Sequence, residues 1–138
     1  MQVQFATPSN PLGTEGWVIP PELTKDIVCA GVRYKIRAMF AEEISGLTFY
    51  SKAEGKRLHT LDPKHSAMQH AYWCYQDYAV VSSLMSINDV EYDDPEHVVK
   101  HLRSLSDETL DSLWQYILVL REEILNRYGC HVSATSNA

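Results

Sequence analysis

The chain has 138 residues, of which 45% are hydrophobic and 22% are charged, and this composition predicts one globular domain with its own core rather than a disordered segment. Its net charge of −6 is unevenly distributed, because residues 1–70 carry 8 basic and 7 acidic groups whereas residues 71–138 carry 4 and 11. The acidic C-terminal half argues against a phosphate backbone as partner, so we expect no binding of nucleic acid.

Cys29, Cys74 and Cys130 are odd in number and widely spaced, so they predict no disulfide framework. The N-terminus shows no basic segment followed by an apolar one, and no apolar run approaches the length of a membrane span. We therefore expect a cytosolic protein with no membrane partner.

The first 21 residues hold four of the six prolines and two of the glycines, a composition that disfavours a helix. Residues 1–21 are therefore predicted to form an extended N-terminal arm, or a small β element built from the segments QVQF and GWVI. The rest of the chain is predicted to be a single helical domain, residues 22–129, followed by a flexible polar tail, residues 130–138.

A first helix is predicted from Thr24 to Gly46, because apolar residues recur there at helical spacing. Within it, the stretch VRYKIRA (32–38) is ambiguous, since its strict alternation of apolar and basic residues is also typical of a half-buried strand. We favour the helix. The segment LTFY (47–50) is strand-like, and Gly55 indicates a turn.

Three further helices are predicted from start and stop signals. Asp62-Pro63 and Asp94-Pro95 each place a capping carboxylate before a proline at the first helical position. The helix after Asp62-Pro63 runs to about Met85, and the last helix begins at Ser106 and stops at Gly129. The predicted fold class is mainly α, with about four helices in a small bundle and a Pro/Gly-rich N-terminal arm or small β element.

The acidic stretch NDVEYDDPEH (88–97) is one candidate for a cation site. Counted from Asp89, a calcium loop of the EF-hand type needs glycine at its sixth position and glutamate at its twelfth, and this chain has Asp94 and Lys100 there. We therefore interpret Asp94 as a helix cap and the neighbouring carboxylates as solvated.

A second candidate is a zinc site in HTLDPKHSAMQHAYWC, where His70 and Cys74 stand at i and i+4 on one helix face. His59 and His65 would have to supply the other ligands, and the spacing matches no zinc-finger signature. We interpret Cys74 as a small buried residue beside a surface histidine, and we predict neither a metal nor a cofactor.

The sequence predicts no catalytic residues. Cys130 and His131 are adjacent, but they fall in the predicted tail, where nothing positions a nucleophile beside a base. Nucleotide-binding, serine-hydrolase and metalloprotease signatures are missing from the sequence. We therefore expect a protein that is not an enzyme.

Aromatic residues are concentrated on the second predicted helix, in HAYWCYQDYAVV, so that this helix is either central in the bundle or exposes a flank to a partner. The segment RYKIR is the only compact basic feature; it is either a solvated face or a group that pairs with the acidic half, within the chain or across a dimer. The candidate partner-binding residues are Tyr72, Trp73, Tyr75, Trp114, Arg33 and Arg37.

Four features follow one another along residues 20–128: a Pro/Gly-rich start, the basic helical segment VRYKIRAMFAEEI, a long helix that ends in AVVSSLMSINDVEY, and the closing pair PEHVVKHLRSLSDETLDSLWQYILVLREEI. This order resembles that of the small tail assembly chaperones of long-tailed bacteriophages, and SIND with the two closing helices is its most specific part.

The resemblance implies a non-enzymatic, mainly helical protein that forms homo-oligomers in the cytoplasm of the infected bacterial host. Its protein partner would be the long helical tape-measure protein, kept soluble until tail-tube subunits assemble around it. The Pro-rich N-terminal segment leaves an alternative, a structural tail or baseplate component that is retained in the virion.

Overall fold

The computed structural model describes residues 19–91 and 95–134. Within these ranges the chain is mainly helical, with four α-helices and one four-stranded antiparallel sheet, which confirms the predicted fold class. The helices are α1 (Ala41–Leu61), α2 (Ala67–Ser83), α3 (Pro95–Arg103) and α4 (Asp107–Tyr128), and the strands are β1 (Thr24–Cys29), β2 (Val32–Arg37), β3 (Leu84–Ile87) and β4 (Val90–Glu91). The predicted arm, apart from its last residues, and the predicted cap Asp94 lie outside the described residues.

The helix predicted from Thr24 to Gly46 is wrong, because its first half forms the antiparallel hairpin of β1 and β2. Ala30 and Gly31 connect the strands, both with positive φ (51° and 79°), as the tight turn of a two-residue hairpin requires. The alternation over residues 33–36 is that of a strand, since Tyr34 and Ile36 are buried while Arg33 and Lys35 are exposed.

The predicted strand LTFY and the predicted turn at Gly55 are also wrong, because both lie inside α1. Gly55 has a packing role instead. A Cβ atom at this position would lie 2.3 Å from the carbonyl oxygen of Ala67 and 2.8 Å from the Cβ of Ala71. Glycine thus allows α1 and α2 to pack closely as an antiparallel pair.

The helix start predicted at Asp62-Pro63 is wrong by several residues. Asp62 closes α1, where its N–H donates to the carbonyl of Leu58 (2.8 Å), and α2 begins after Ser66. The Oγ of Ser66 accepts the N–H of Gln69 (3.1 Å), so the better cap lies nearer the helix. At its other end α2 passes directly into β3, two residues before the predicted end at Met85.

The predicted ends of the last helix are confirmed. The Oγ of Ser106 accepts the N–H of Thr109 (3.2 Å), and Gly129 adopts a left-handed conformation with φ of 74°. The helix start predicted at Pro95 agrees with the first residue of α3.

The sheet has the strand order β1-β2-β3-β4. Helix α4 packs against β1 and β2, and α2 packs against α4 and α3. The core formed between these elements includes Ile36, Phe40, Leu84 and Leu113, all of them almost fully buried.

The first residues of the predicted flexible tail contact the beginning of α1. The carbonyl of Val132 accepts the N–H of Ala41 (2.8 Å), and the N–H of Ala134 donates to the Glu42 carboxylate (2.9 Å). Residues 135–138 of the tail lie outside the described residues. Among the helices of the described ranges, none combines the length and the apolar character that crossing a membrane requires.

Candidate protein-binding groove

An open groove of about 1060 Å³ lies between the α1–α2 pair on one side and α3 with the beginning of α4 on the other. Six side chains form most of its apolar floor: Trp73, Val80, Val81, Val99, Leu102 and Leu110. Charged side chains from α1, α2, α3 and α4 surround this floor. We refer to it below as the groove.

Helical spacing explains why one flank of α2 lines the groove. Trp73, Asp77, Val80 and Val81 stand at i, i+4, i+7 and i+8, so they follow one another along one side of the helix. A neighbouring side of the same helix faces α4. The helix therefore has two apolar sides, one that packs on α4 and one that lines the groove, where Val80 is buried and Trp73 is exposed.

On the opposite wall, α3 presents Val99 and Leu102, three residues apart, and the first turns of α4 present Leu110. The short connection between the two helices is held by the N–H of Ser104, which donates to the carbonyl of His101 (3.0 Å). Because α3 and α4 meet at this connection, their ends jointly form one wall.

The charge of the lining residues is predominantly negative. Its carboxylates are Glu54, Asp77, Asp107, Glu108 and Asp111, and its guanidinium groups are Arg57 and Arg103. One guanidinium is compensated locally, because the Nε of Arg57 donates to the Glu54 carboxylate (2.7 Å). This hydrogen bond also lowers the pKa of Glu54. Four carboxylates and one guanidinium then remain around the floor.

Asp77 occupies the middle of the α2 wall. Its side chain reaches solvent, but the surrounding walls remove part of its hydration, and this burial raises the pKa of its carboxyl group. A cation placed in the groove would therefore favour the ionised form of Asp77.

Trp73 is held at one end of the groove by two histidines. The rings of His65 and His70 pack edge-on against the indole, with centroid distances of 4.8 Å and 5.8 Å. Trp73 nevertheless remains 41% exposed. A partly exposed Trp ring that packs against neighbouring rings is typical of an anchor site in a protein interface.

The histidines and cysteine considered as zinc ligands have other contacts. The Nε2 of His70 lies 3.1 Å from the carbonyl oxygen of Asp62, and the Nδ1 of His59 lies 2.7 Å from the carbonyl oxygen of His65. Burial raises the pKa of the Cys74 thiol. Within the described ranges, no group of three or more His, Cys, Asp or Glu side chains is placed to hold a metal ion.

Of the aromatic residues predicted to bind a partner, the structure places only Trp73 in the groove. Trp114 is buried, and its indole Nε1 donates to the Tyr72 hydroxyl (3.4 Å). The Tyr75 ring packs against Trp114 at 6.4 Å, and its hydroxyl accepts from Arg121 (3.3 Å). Tyr75 and Trp114 thus lie in the contact between α2 and α4, and Tyr72 lies at its edge, where it remains 52% exposed.

The two predicted basic residues have partners within the chain. Arg33 is exposed and pairs with Asp89, an acidic residue of the C-terminal half. Arg37 is fully buried, where it pairs with Glu43, and is therefore not on a surface that a partner could reach.

The acidic residues of the groove were not predicted as site residues. Asp107 and Glu108 fall in the first turn of a helix, where negative charge is common for reasons of local stability. Their sequence positions do not indicate that the beginning of α4 lies across from Asp77. Comparison of the chain with protein-family models, with curated proteins and with solved structures finds no match.

Proposed function

We propose that this protein is a non-enzymatic tail assembly chaperone of a long-tailed bacteriophage, which binds the tape-measure protein and keeps it soluble during tail assembly. The observation that carries the proposal is the groove, with an apolar floor and an exposed Trp73 at one end. Such a groove accepts the apolar side of an amphipathic helix. The resemblance of the sequence pattern provides the identity of the client, although VRYKIR, which that pattern takes as helical, forms strand β2.

The chemistry of the groove supports binding rather than catalysis. Its cysteine, Cys74, has a pKa raised by burial, and a protonated thiol is a poor nucleophile. The neighbouring His70 directs its Nε2 to the carbonyl of Asp62, at 3.1 Å. These contacts position neither side chain to activate a substrate.

Co-expression with the tape-measure protein of the same phage tests the proposal. We expect the two proteins to co-purify as a soluble complex, and we expect Trp73→Ala to weaken it by about tenfold or more, as loss of an anchor residue does. Phe49→Ala is the matched control, because Phe49 is 66% exposed on α1 and does not line the groove.

The composition of purified virions provides the second measurement. A chaperone is released before the tail is complete, so the protein should be missing from mature particles. Abundant copies in the virion would contradict the proposal and favour the alternative, a structural tail or baseplate component. A tape-measure protein that stays insoluble on co-expression would contradict it as well.

A further inference from the structure

We infer that the groove selects a basic amphipathic helix, whose apolar side packs on the floor and whose Lys or Arg side chains reach the carboxylates around it. This inference rests on the proposed function only for the identity of the client. The preference for a basic helix follows from the lining of the groove itself.

The floor has the dimensions of a short helical segment. Its lining residues on α2 extend from His70 to Val81, which corresponds to about 17 Å along the helix axis. About three turns of a partner helix would therefore fit, with apolar residues at i, i+3 or i+4, and i+7. The groove volume of about 1060 Å³ lies at the upper limit for small-molecule pockets, roughly 300–1,000 Å³, and the groove is open along one side.

The carboxylates stand on both sides of the floor. Asp77 lies on the α2 wall, whereas Asp107, Glu108 and Asp111 lie on the α4 wall. Cationic side chains on either edge of a bound helix would therefore find an acidic partner, and acidic side chains would be repelled.

Local helix stability accounts for only some of these charges. Asp107 and Glu108 occupy the first turn of α4, where the helix dipole favours them. Asp111 lies one turn later, and Asp77 lies in the middle of α2, where the dipole contributes little. Asp77 is also the carboxyl group whose ionised form the groove disfavours. The carboxylates of Asp77 and Asp111 thus lie beside the apolar floor although the helix dipole does not stabilise them there.

Two labelled synthetic peptides of about 18 residues test the inference on the full-length protein by fluorescence anisotropy. Both carry the same stripe of Leu, flanked by Lys in one and by Glu in the other; a third peptide has the Lys composition in scrambled order. We expect the Lys peptide to bind at least about tenfold more tightly than either of the others at low salt. This preference should shrink at about 0.5 M salt, because exposed charges are then screened.

Equal affinities for the Lys and Glu peptides would overturn the inference, as would tighter binding of the Glu peptide. Equal binding of the scrambled Lys peptide would also overturn it, because attraction to net charge alone would then explain the result. These comparisons use the wild-type chain, so they do not depend on whether a variant folds.

Paired charge variants locate the binding site. Asp77→Asn with Asp111→Asn should weaken binding of the Lys peptide by about five- to tenfold. Asp26→Asn with Glu122→Gln is the matched control, since it removes two exposed carboxylates that do not line the groove, and it should leave the affinity unchanged. Equal losses in both double variants would overturn the assignment to the groove. If circular dichroism shows that the first double variant is unfolded, Asp77→Asn alone is compared with Asp26→Asn, and the same outcomes decide.

This inference and the proposed function fail in different ways. If the tape-measure complex depends on Trp73 but the peptides show no preference for Lys, the inference is overturned and the proposed function stands. If the Lys peptide is preferred but the tape-measure protein forms no complex, the inference is supported and the proposed client is wrong.

Discussion

Gly55 lies at a position of α1 where any side chain would be incompatible with the packing against α2. The sequence indicates a turn there, because glycine is unfavourable inside a helix by roughly 1 kcal/mol relative to alanine. The structure gives the physical reason for its presence. The missing Cβ leaves room for the backbone of α2, whose Ala67 oxygen would be only 2.3 Å away.

We therefore expect Gly55→Ala to destabilise the protein by about 2 kcal/mol, because overpacking against a backbone atom outweighs the gain in helix propensity. Urea unfolding followed by circular dichroism measures the change. Lys56→Ala, at an exposed position of the same helix, should change the stability by less than about 0.5 kcal/mol. An increased unfolding midpoint for Gly55→Ala would show that the two helices separate easily.

Arg37 is a residue that the alternation of the sequence predicts to be exposed and that the structure shows to be buried. Strict alternation puts Arg33, Lys35 and Arg37 on one exposed face. In the structure the pairing of β2 with β3 shifts between Lys35 and Ile36, and beyond this irregularity both Ile36 and Arg37 are buried. Such a shift depends on the partner strand β3, which lies about 50 residues away in the sequence.

Among the elements, α4 carries local signals at both ends and could be predicted, whereas the start of α1 carries none and could not. Helix α4 has a serine cap and a terminal glycine, and both of its ends were predicted. Helix α1 has no polar side chain at its cap position; there the N–H of Phe40 donates to the Glu43 carboxylate (2.8 Å), which comes from within the helix. The groove could not be predicted because its walls combine side chains from α1, α2, α3 and α4, and their proximity is a tertiary property.

The ion pair of Arg37 and Glu43 joins three elements, namely β2, α1 and α2. Two guanidinium nitrogens of Arg37 donate to the Glu43 carboxylate, one of them at 2.8 Å, and its Nε donates to the carbonyl of Ser82 (3.1 Å). Both side chains are almost completely buried, at 0% and 4% exposure. Removing one partner leaves the other charge buried without compensation.

Arg37→Met should therefore reduce the free energy of unfolding by about 3–5 kcal/mol, and adding Glu43→Gln should recover part of this loss. A double-mutant cycle in urea measures the coupling. The exposed pair of Lys25 and Glu123 (3.0 Å) is the control, where Lys25→Met should cost no more than about 1 kcal/mol. Strictly additive losses for Arg37 and Glu43 would show that the two side chains act independently.

For the molecule as a whole, the fold concentrates the charge asymmetry of the sequence at the groove. The acidic half supplies four of the groove carboxylates. Two of its other carboxylates pair with basic residues of the N-terminal half, Asp89 with Arg33 and Glu123 with Lys25. At the sheet, acidic side chains are therefore neutralised by ion pairs, whereas the groove retains an excess of negative charge.

The stability of the whole molecule should also depend on pH through two histidines. His101 on α3 shares a hydrogen bond of 2.8 Å with the hydroxyl of Tyr34 on β2, and burial lowers its pKa. His131 follows α4, and its pKa is lowered by burial and by the charge of Arg121. The contact of His101 connects α3 with β2.

The direction of the effect follows from proton linkage. The folded pKa of each histidine lies below the ordinary value of 6.5 that applies to the unfolded chain, so the unfolded chain takes up protons first as the pH falls. Their contribution to stability is complete above pH 6.5 and is lost as the pH falls from there toward the lowered folded pKa. Asp77 acts in the opposite direction, because its raised pKa makes the folded chain take up a proton before the unfolded chain does. This favours the folded state at more acidic pH, nearer the ordinary carboxyl pKa of 3.8.

Urea unfolding between about pH 8 and pH 5.5 separates these contributions, since carboxyl groups with ordinary pKa values stay ionised throughout this range. We expect the unfolding midpoint to fall as the solution is acidified below pH 6.5, and we expect the double variant His101→Gln with His131→Gln to show a shallower decrease. The effect should be modest, because both imidazoles are only partly buried and solvent weakens the interactions of their charged forms. A midpoint that stays constant or rises on acidification would contradict the lowered pKa of these two residues in the folded protein. An unchanged slope in the double variant would assign the pH dependence to other groups.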